Sequence, residues 1–216
     1  MNRKVIVVFD LDETLTQKDT YIPYLLLALK CHPGKLPASL LLPFITVPYL
    51  LGIRNNTWLK EQFLRMVLKG RTTKEIHRIN ELFVSRLLKN GMDTQILHIL
   101  KNHQAQGHWL VMLSASLDCY VADVGAALGF NETIATEVGI RDGRLTGNLA
   151  GPNLKGVEKL RALENHLGAK RKHCEIIAYA DHPSDQDLLA WADQGFWVRH
   201  TPELDCLAAK LNIAFV

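Results

Sequence analysis

Two hydrophobic periods alternate along the chain. Lys4 to Phe9 (KVIVVF) is β-branched and almost wholly apolar, as a parallel strand covered on both faces should be. Trp109 to Leu113 (WLVML) and Glu175 to Ala180 (EIIAYA) read the same way, Thr133 to Val138 predicts another strand, and Phe196 to Val198 a short further one. Between these runs the spacing lengthens to that of helices: Ile96, Leu97 and Leu100 mark one, residues 117 to 128 a second, and Leu160, Leu163 and Leu167 line one face of a third. Leu188, Leu189 and Trp191 belong to another, and Asp142-Gly143 predicts a tight turn in a small two-stranded excursion. Strands alternating with helices predict an α/β fold, a doubly wound, Rossmann-like parallel sheet whose ligands sit beyond the carboxyl ends of the strands.

One region breaks the alternation. From residue 20 to 91 the pattern is helical throughout, with Trp58, Phe63, Leu64, Val67 and Leu68 followed by Ile76, Ile79, Leu82, Phe83 and Leu87. The predicted organisation is a discontinuous core of residues 1–19 and 92–216 with a helical cap, 20–91, inserted between. Within that cap, residues 36 to 53 run eighteen positions without a charge between Lys35 and Arg54, and Tyr21 to Leu29 is also apolar. Eighteen residues is at the lower edge of a membrane-spanning length, and Pro37, Pro43 and Pro48 argue against a straight helix. Short apolar helices remain, either packed on themselves or touching lipid through residues 21–53.

Composition narrows the class. Of 216 residues, 48% are hydrophobic and 22% charged, which excludes disordered and collagen-like chains. Lys and Arg number 25 against 22 Asp and Glu, a net of +3 without a basic run, so no nucleic-acid partner is expected. Cys31, Cys119, Cys174 and Cys206 lie far apart with no CxxC spacing, which fits a reducing compartment better than a disulfide framework or zinc knuckle. The apolar N-terminal run is broken by Asp10 and Asp12 and reads as a strand, not a signal peptide. The expected location is cytoplasmic, at the inner face of the membrane if the cap touches lipid.

Polar residues gather at the predicted strand ends: Asp10 and Asp12 after the first, Ser114 after the second, Asp181 and Asp185 after the third. Adjacent strand ends converge on one crevice. Crowded carboxylates repel, and an all-oxygen set is relieved by Mg²⁺, which keeps waters and binds a phosphate oxygen.

The motif VVFDLDETLT resembles the first motif of the haloacid dehalogenase superfamily, an apolar strand followed by DxDxT. LSAS at 113–116, a lysine opening a helix, and the acids of YADHPSDQDLL at 179–189 match the superfamily's further motifs in order and spacing, with the helical insertion between the first and second. The branch most resembled is the phosphoserine-phosphatase-like one, including small bacterial members with GxEK before the last strand. The resemblance implies Asp10 as nucleophile forming an aspartyl-phosphate, Asp12 as general acid and base, and Thr14 as a loop-fixing residue. It implies Ser114 on a phosphoryl oxygen and Lys159, or alternatively Lys155, neutralising the phosphate and Asp10. Mg²⁺ would be held by Asp10, Asp12, Asp181 and Asp185, of which Asp185 would hold a metal-bound water or the lysine, with Asp187 at the surface or as a helix N-terminal charge. His182 stands where the family has a small residue, and Ser184 where Asn is common.

Substrate identity stays open at this stage. Asp19, nine residues after Asp10, matches an acid that meets the substrate amine in phosphoserine phosphatases; Arg65 is the nearest cap arginine for a carboxylate. The leading reading is a Mg²⁺-dependent phosphomonoesterase acting on a small molecule. The alternatives are a membrane-associated lipid-phosphate phosphatase, since the apolar cap resembles that of bacterial phosphatidylglycerophosphate phosphatases, and a catalytically idle phosphate-binding module.

Overall fold

The structure is a computed structural model that describes residues 3–32 and 42–216. Its centre is a six-stranded parallel sheet made of β1 (Lys4–Phe9), β2 (Trp109–Leu117), β3 (Glu132–Thr136), β6 (Cys174–Ala180), β7 (Gln194–Trp197) and β8 (Ala214–Phe215). The order is β3-β2-β1-β6-β7-β8, so the chain winds outward from β1 first to one side and then to the other. That reversal leaves a crevice at the carboxyl ends of β1, β2 and β6. Register fixes what stands there: Phe9 pairs with both Met112 and Tyr179, and the Asp10 amide donates to the Tyr179 carbonyl at 3.1 Å.

Alternation along the strands sends side chains to two covered faces. Ile6, Val8, Val111, Leu113, Ile176 and Ala178 pack under α7 (Val157–Leu167), α8 (Gln186–Trp191) and α9 (Pro202–Leu211). Val7, Phe9, Leu110, Met112, Ile177 and Tyr179 face the other way, toward α5 (Thr94–Ala105) and α6 (Asp118–Ala127). Phe9, Tyr179 and Phe196 stack in a row on that face, 4.7 and 5.2 Å between successive ring centres.

Among the described residues, four helices make up the insertion: α1 (Tyr21–Lys30), α2 (Leu42–Leu50), α3 (Asn56–Val67) and α4 (Thr73–Asn90). Of the uncharged stretch 36–53, residues 36–41 lie outside the described residues; α2 follows with Pro48 inside it, and Gly52 turns the chain with a φ of 71°. Among the described residues, no helix is long and apolar enough to cross a membrane. Thr72 and Glu75 close a reciprocal capping box that starts α4, and Asn55 caps α3 through the Trp58 amide.

Cap and core share one apolar cluster, in which Tyr24, Phe63, Leu64, Ile76 and Phe83 join the sheet residues. Tyr24 stacks on Tyr120 of α6 at 4.2 Å, and Asn80 of α4 donates to the Cys119 carbonyl and to Asp123. The turn at Asp142-Gly143 joins β4 (Val138–Arg141) to β5 (Arg144–Leu149), an antiparallel hairpin that binds the cap rather than the sheet. Gly70 donates to the Leu145 carbonyl, Leu145 to that of Arg71, and Thr73 to that of Gly143. Gly147 lies against α3 with a φ of 84°, where a Cβ would come within 3.0 Å of Arg65 and Lys69.

Candidate active site

Asp10 ends β1, is 6% exposed, and meets the ammonium of Lys159 at 2.9 Å. Lys159 stands in the first turn of α7 and also donates to Asp185 Oδ2 at 2.8 Å. Gly156 sets up that turn with a φ of 64°, a conformation that a Cβ would disfavour. Burial lowers the lysine's proton affinity, but the two carboxylates outweigh it and hold its pKa above the ordinary lysine value. Burial raises Asp10 well above the usual carboxylate range; Lys159 pulls it back, while Asp185, Asp181 and Asp12 push it further up.

Asp181 follows β6 on the neighbouring strand end. Burial pushes its carboxyl up to about 6, against the hydrogen bond that Thr14 donates to its Oδ1 at 2.9 Å and the charge of Lys159. Thr14 owes its position to a tight loop after Asp10 in which Glu13 takes a φ of 56°, strained for a side chain of that size. Thr16 Oγ1 closes the loop on the Leu11 carbonyl at 3.0 Å. Arg199 clamps it from outside, donating to the carbonyls of Glu13, Thr16 and Gln17.

Asp12 also lines the cleft, but its contacts are of another kind. Its Oδ1 accepts from the Thr20 amide at 2.6 Å and the Thr20 hydroxyl at 2.5 Å, its Oδ2 from the Ser116 hydroxyl at 2.6 Å. Tyr120 OH stands 2.9 Å behind the Thr20 hydroxyl. The four acids expected to hold metal therefore split: Asp12 is engaged by hydroxyls, Asp185 by Lys159, and among the described residues no group of three or more acids, histidines or cysteines is set to hold a metal ion. All four acids line the cleft, and Asp10 and Asp181, each raised by burial, are the two whose contacts leave carboxylate oxygens for a cation. A hard cation that binds through one or two carboxylates, water and phosphate fits that oxygen pair.

These groups line a cleft of about 870 Å³ between cap and core. Ser114 does not reach its wall. The strand runs on to Leu117 past an irregular register, Ser114 is fully buried, and its hydroxyl accepts from the Ser116 amide at 3.0 Å. Ala115 and Ser116 face the cleft instead, as do Lys155, Asp19 and His182. His182 accepts from the Ser184 amide at 3.0 Å, capping the turn that leads to Asp185, and burial lowers its pKa. Burial raises Asp19, whose carboxylate accepts from the Tyr21 amide. Arg65 is not on the cleft wall; it pairs with Glu61 and donates to Asn148 of the hairpin.

Two contributors escape a reading of the sequence by motif, Lys60 and Arg199, while Ser116 stands inside the LSAS motif two residues past the serine that the resemblance implies. Lys60 had a signal, since it shares one helical stripe with Phe63, Leu64 and Val67, where a charge is out of place. Arg199 lies just beyond β7, a further strand end of the same sheet.

The geometry agrees with the sequence comparisons. Residues 7–190 match the model of the haloacid dehalogenase-like hydrolase family, and the chain belongs to that family. Protein CicA of Caulobacter vibrioides is 29% identical over 191 residues, 88% of this chain and 84% of its own length. A protein of unknown function from Bordetella pertussis Tohama I has the same fold, with a TM-score of 0.86 at 22% identity over 100% of this chain and 99% of that one. A phosphoserine phosphatase captured as a phospho-aspartyl intermediate analogue superposes with a TM-score of 0.61 at 20% identity, covering 99% of this chain and 94% of its own.

Proposed function

We propose that the protein is a Mg²⁺-dependent phosphomonoester hydrolase that works through an aspartyl-phosphate on Asp10. The observation that carries this reading is the buried Asp10 carboxylate at the β1 end, charge-compensated by Lys159 at 2.9 Å and open to the cleft. A carboxylate oxygen of Asp10 attacks phosphorus, the ester P–O bond breaks, and Asp12 delivers its proton to the departing alkoxide. Asp12 then takes a proton from water; the resulting hydroxide attacks phosphorus, and phosphate leaves Asp10 as a free carboxylate. Lys159 steadies the charge on Asp10 and the phosphoryl oxygens throughout. Asp10 and Asp181 would hold Mg²⁺, which when bound neutralises phosphate charge and lowers the affinity of both carboxyls for protons. Among the serines, Ser116 is better placed than Ser114 to meet the substrate, because it lines the cleft.

A second reading, lipid-phosphate hydrolysis at a membrane surface, is favoured by one feature of the cap. Leu50, Leu51 and Ile53 are 76, 67 and 68% exposed, and Ile22, also exposed, lines the cleft mouth. Phosphate release measured with Mg²⁺ and with chelator, on water-soluble monoesters and on lipid phosphates in detergent, tests both. Metal-dependent release from soluble esters supports the first reading, release from lipids alone the second, and none from either would leave a phosphate-binding module.

A further inference from the structure

Among the described residues two lysines are buried: Lys159, whose role lies with Asp10, and Lys60, which the chemistry above does not use. Lys60 belongs to the cap and lines the cleft, and its ammonium reaches the core. It donates to the Ala115 carbonyl at 2.6 Å and to Asn153 Oδ1 at 2.5 Å, both neutral acceptors. An ammonium buried this way is costly, and an apolar residue on the same stripe of α3 would pack without that cost. Packing alone gives no reason for a lysine here.

The carbonyl it holds has a particular place. Ala115 C=O and Ser116 N–H are the two ends of one peptide unit. Its oxygen accepts from Lys60 and, at 2.7 Å, from the Thr136 hydroxyl; its N–H donates to Ser114 Oγ. With both ends fixed, the Cα of Ser116 is fixed too, and the Ser116 hydroxyl reaches Asp12 at 2.6 Å. The path from the cap ammonium to the Asp12 carboxylate is therefore one peptide group and one short side chain.

We propose that Lys60 is a positioning residue for proton transfer: by holding the Ala115–Ser116 peptide it keeps Ser116 on Asp12, and so keeps Asp12 in the rotamer that meets the leaving group. This rests on the reading of Asp12 as general acid. It makes the cap a supplier of geometry to the proton-transfer step, separate from any contact the cap makes with substrate. Its signature is dependence on the leaving group, because a displaced general acid matters most when the departing oxygen is strongly basic.

The test compares wild type, Lys60→Gln, Ser116→Ala, the double variant and Asp12→Asn on p-nitrophenyl phosphate and phenyl phosphate with Mg²⁺, with thermal melts to confirm folding. Lys60→Gln should lower turnover of phenyl phosphate about tenfold more than that of p-nitrophenyl phosphate. In the double variant that ratio should be no worse than in Ser116→Ala alone, since both act on one path. Equal losses on the two esters, or effects on the ratio that multiply in the double variant, would overturn the proposal. Lack of leaving-group dependence in Asp12→Asn itself would instead remove the general-acid reading, and the inference with it.

Discussion

Lys159 and Asp10 meet at 2.9 Å, both buried at the floor of the cleft, with Asp185 on the lysine's other side. One cation thus spans two carboxylates from adjacent segments of the fold. Removing it would leave both acids buried without compensation, a loss of about 3 kcal/mol or more for a broken buried pair. Lys159→Ala should therefore lower both the denaturant midpoint and activity, whereas Lys155→Ala, on the cleft wall but outside this pair, should change turnover far less. Steady-state kinetics beside chemical denaturation checks the ranking; the reverse order would make Lys155 the motif lysine.

Lys60 gives a prediction about pH. Burial lowers its pKa from 10.5 to about 8, against the opposing charges of Asp12 and Asp19 and with a small push from Lys155. Below pH 8 the lysine is charged in folded and unfolded chains alike, and the burial penalty is fully present. Between 8 and 10.5 the unfolded chain binds more protons, so this residue's contribution to stability improves as pH rises. The stability of Lys60→Met minus that of wild type should accordingly shrink from pH 8 to 10, measured by urea unfolding. A difference that stayed constant would mean the lysine is not desolvated.

Gly147 tests how the hairpin is fixed to the cap. Its φ of 84° and the 3.0 Å approach to α3 leave no place for a methyl group. Gly147→Ala should cost about 1–3 kcal/mol of stability. Urea unfolding measures it, and a neutral result would show that β5 can withdraw from α3.

The exposed apolar residues of the cap separate the two substrate readings. If Leu50, Leu51 and Ile53 dock on a bilayer, the protein should float with anionic vesicles, and replacing all three by Ser should reduce flotation while sparing turnover of a soluble ester. Absence of flotation in the wild type would remove the lipid reading.

How much of this was legible in the sequence depended on how local each signal is. The strands Lys4–Phe9 and Cys174–Ala180 announce themselves because burial on both faces confines charge to their first two residues, at Lys4 and Glu175, and the acids after them follow. Where an apolar run stops does not mark where a strand stops: β2 continues through Ser114 to Leu117, and Ser116 lines the cleft. The four acids looked equivalent in sequence. Their division depends on contacts that run from eight residues, Thr20 to Asp12, through 26, Lys159 to Asp185, to more than a hundred for Ser116 to Asp12 and Thr14 to Asp181, and the long-range ones leave no trace in any single stretch. Strand β8 is only two residues long and forms through pairing with β7, so periodicity could not reveal it.

Whether Asp10 carries the phosphoryl group is the central claim. The direct measurement is acid quench of the protein turning over p-nitrophenyl phosphate with Mg²⁺, followed by mass spectrometry of its peptides, for wild type and Asp10→Asn. One phosphoryl group on the peptide containing Asp10 in wild type, absent from a folded and inactive Asp10→Asn, is the predicted result. Undiminished phosphate release by Asp10→Asn would contradict it.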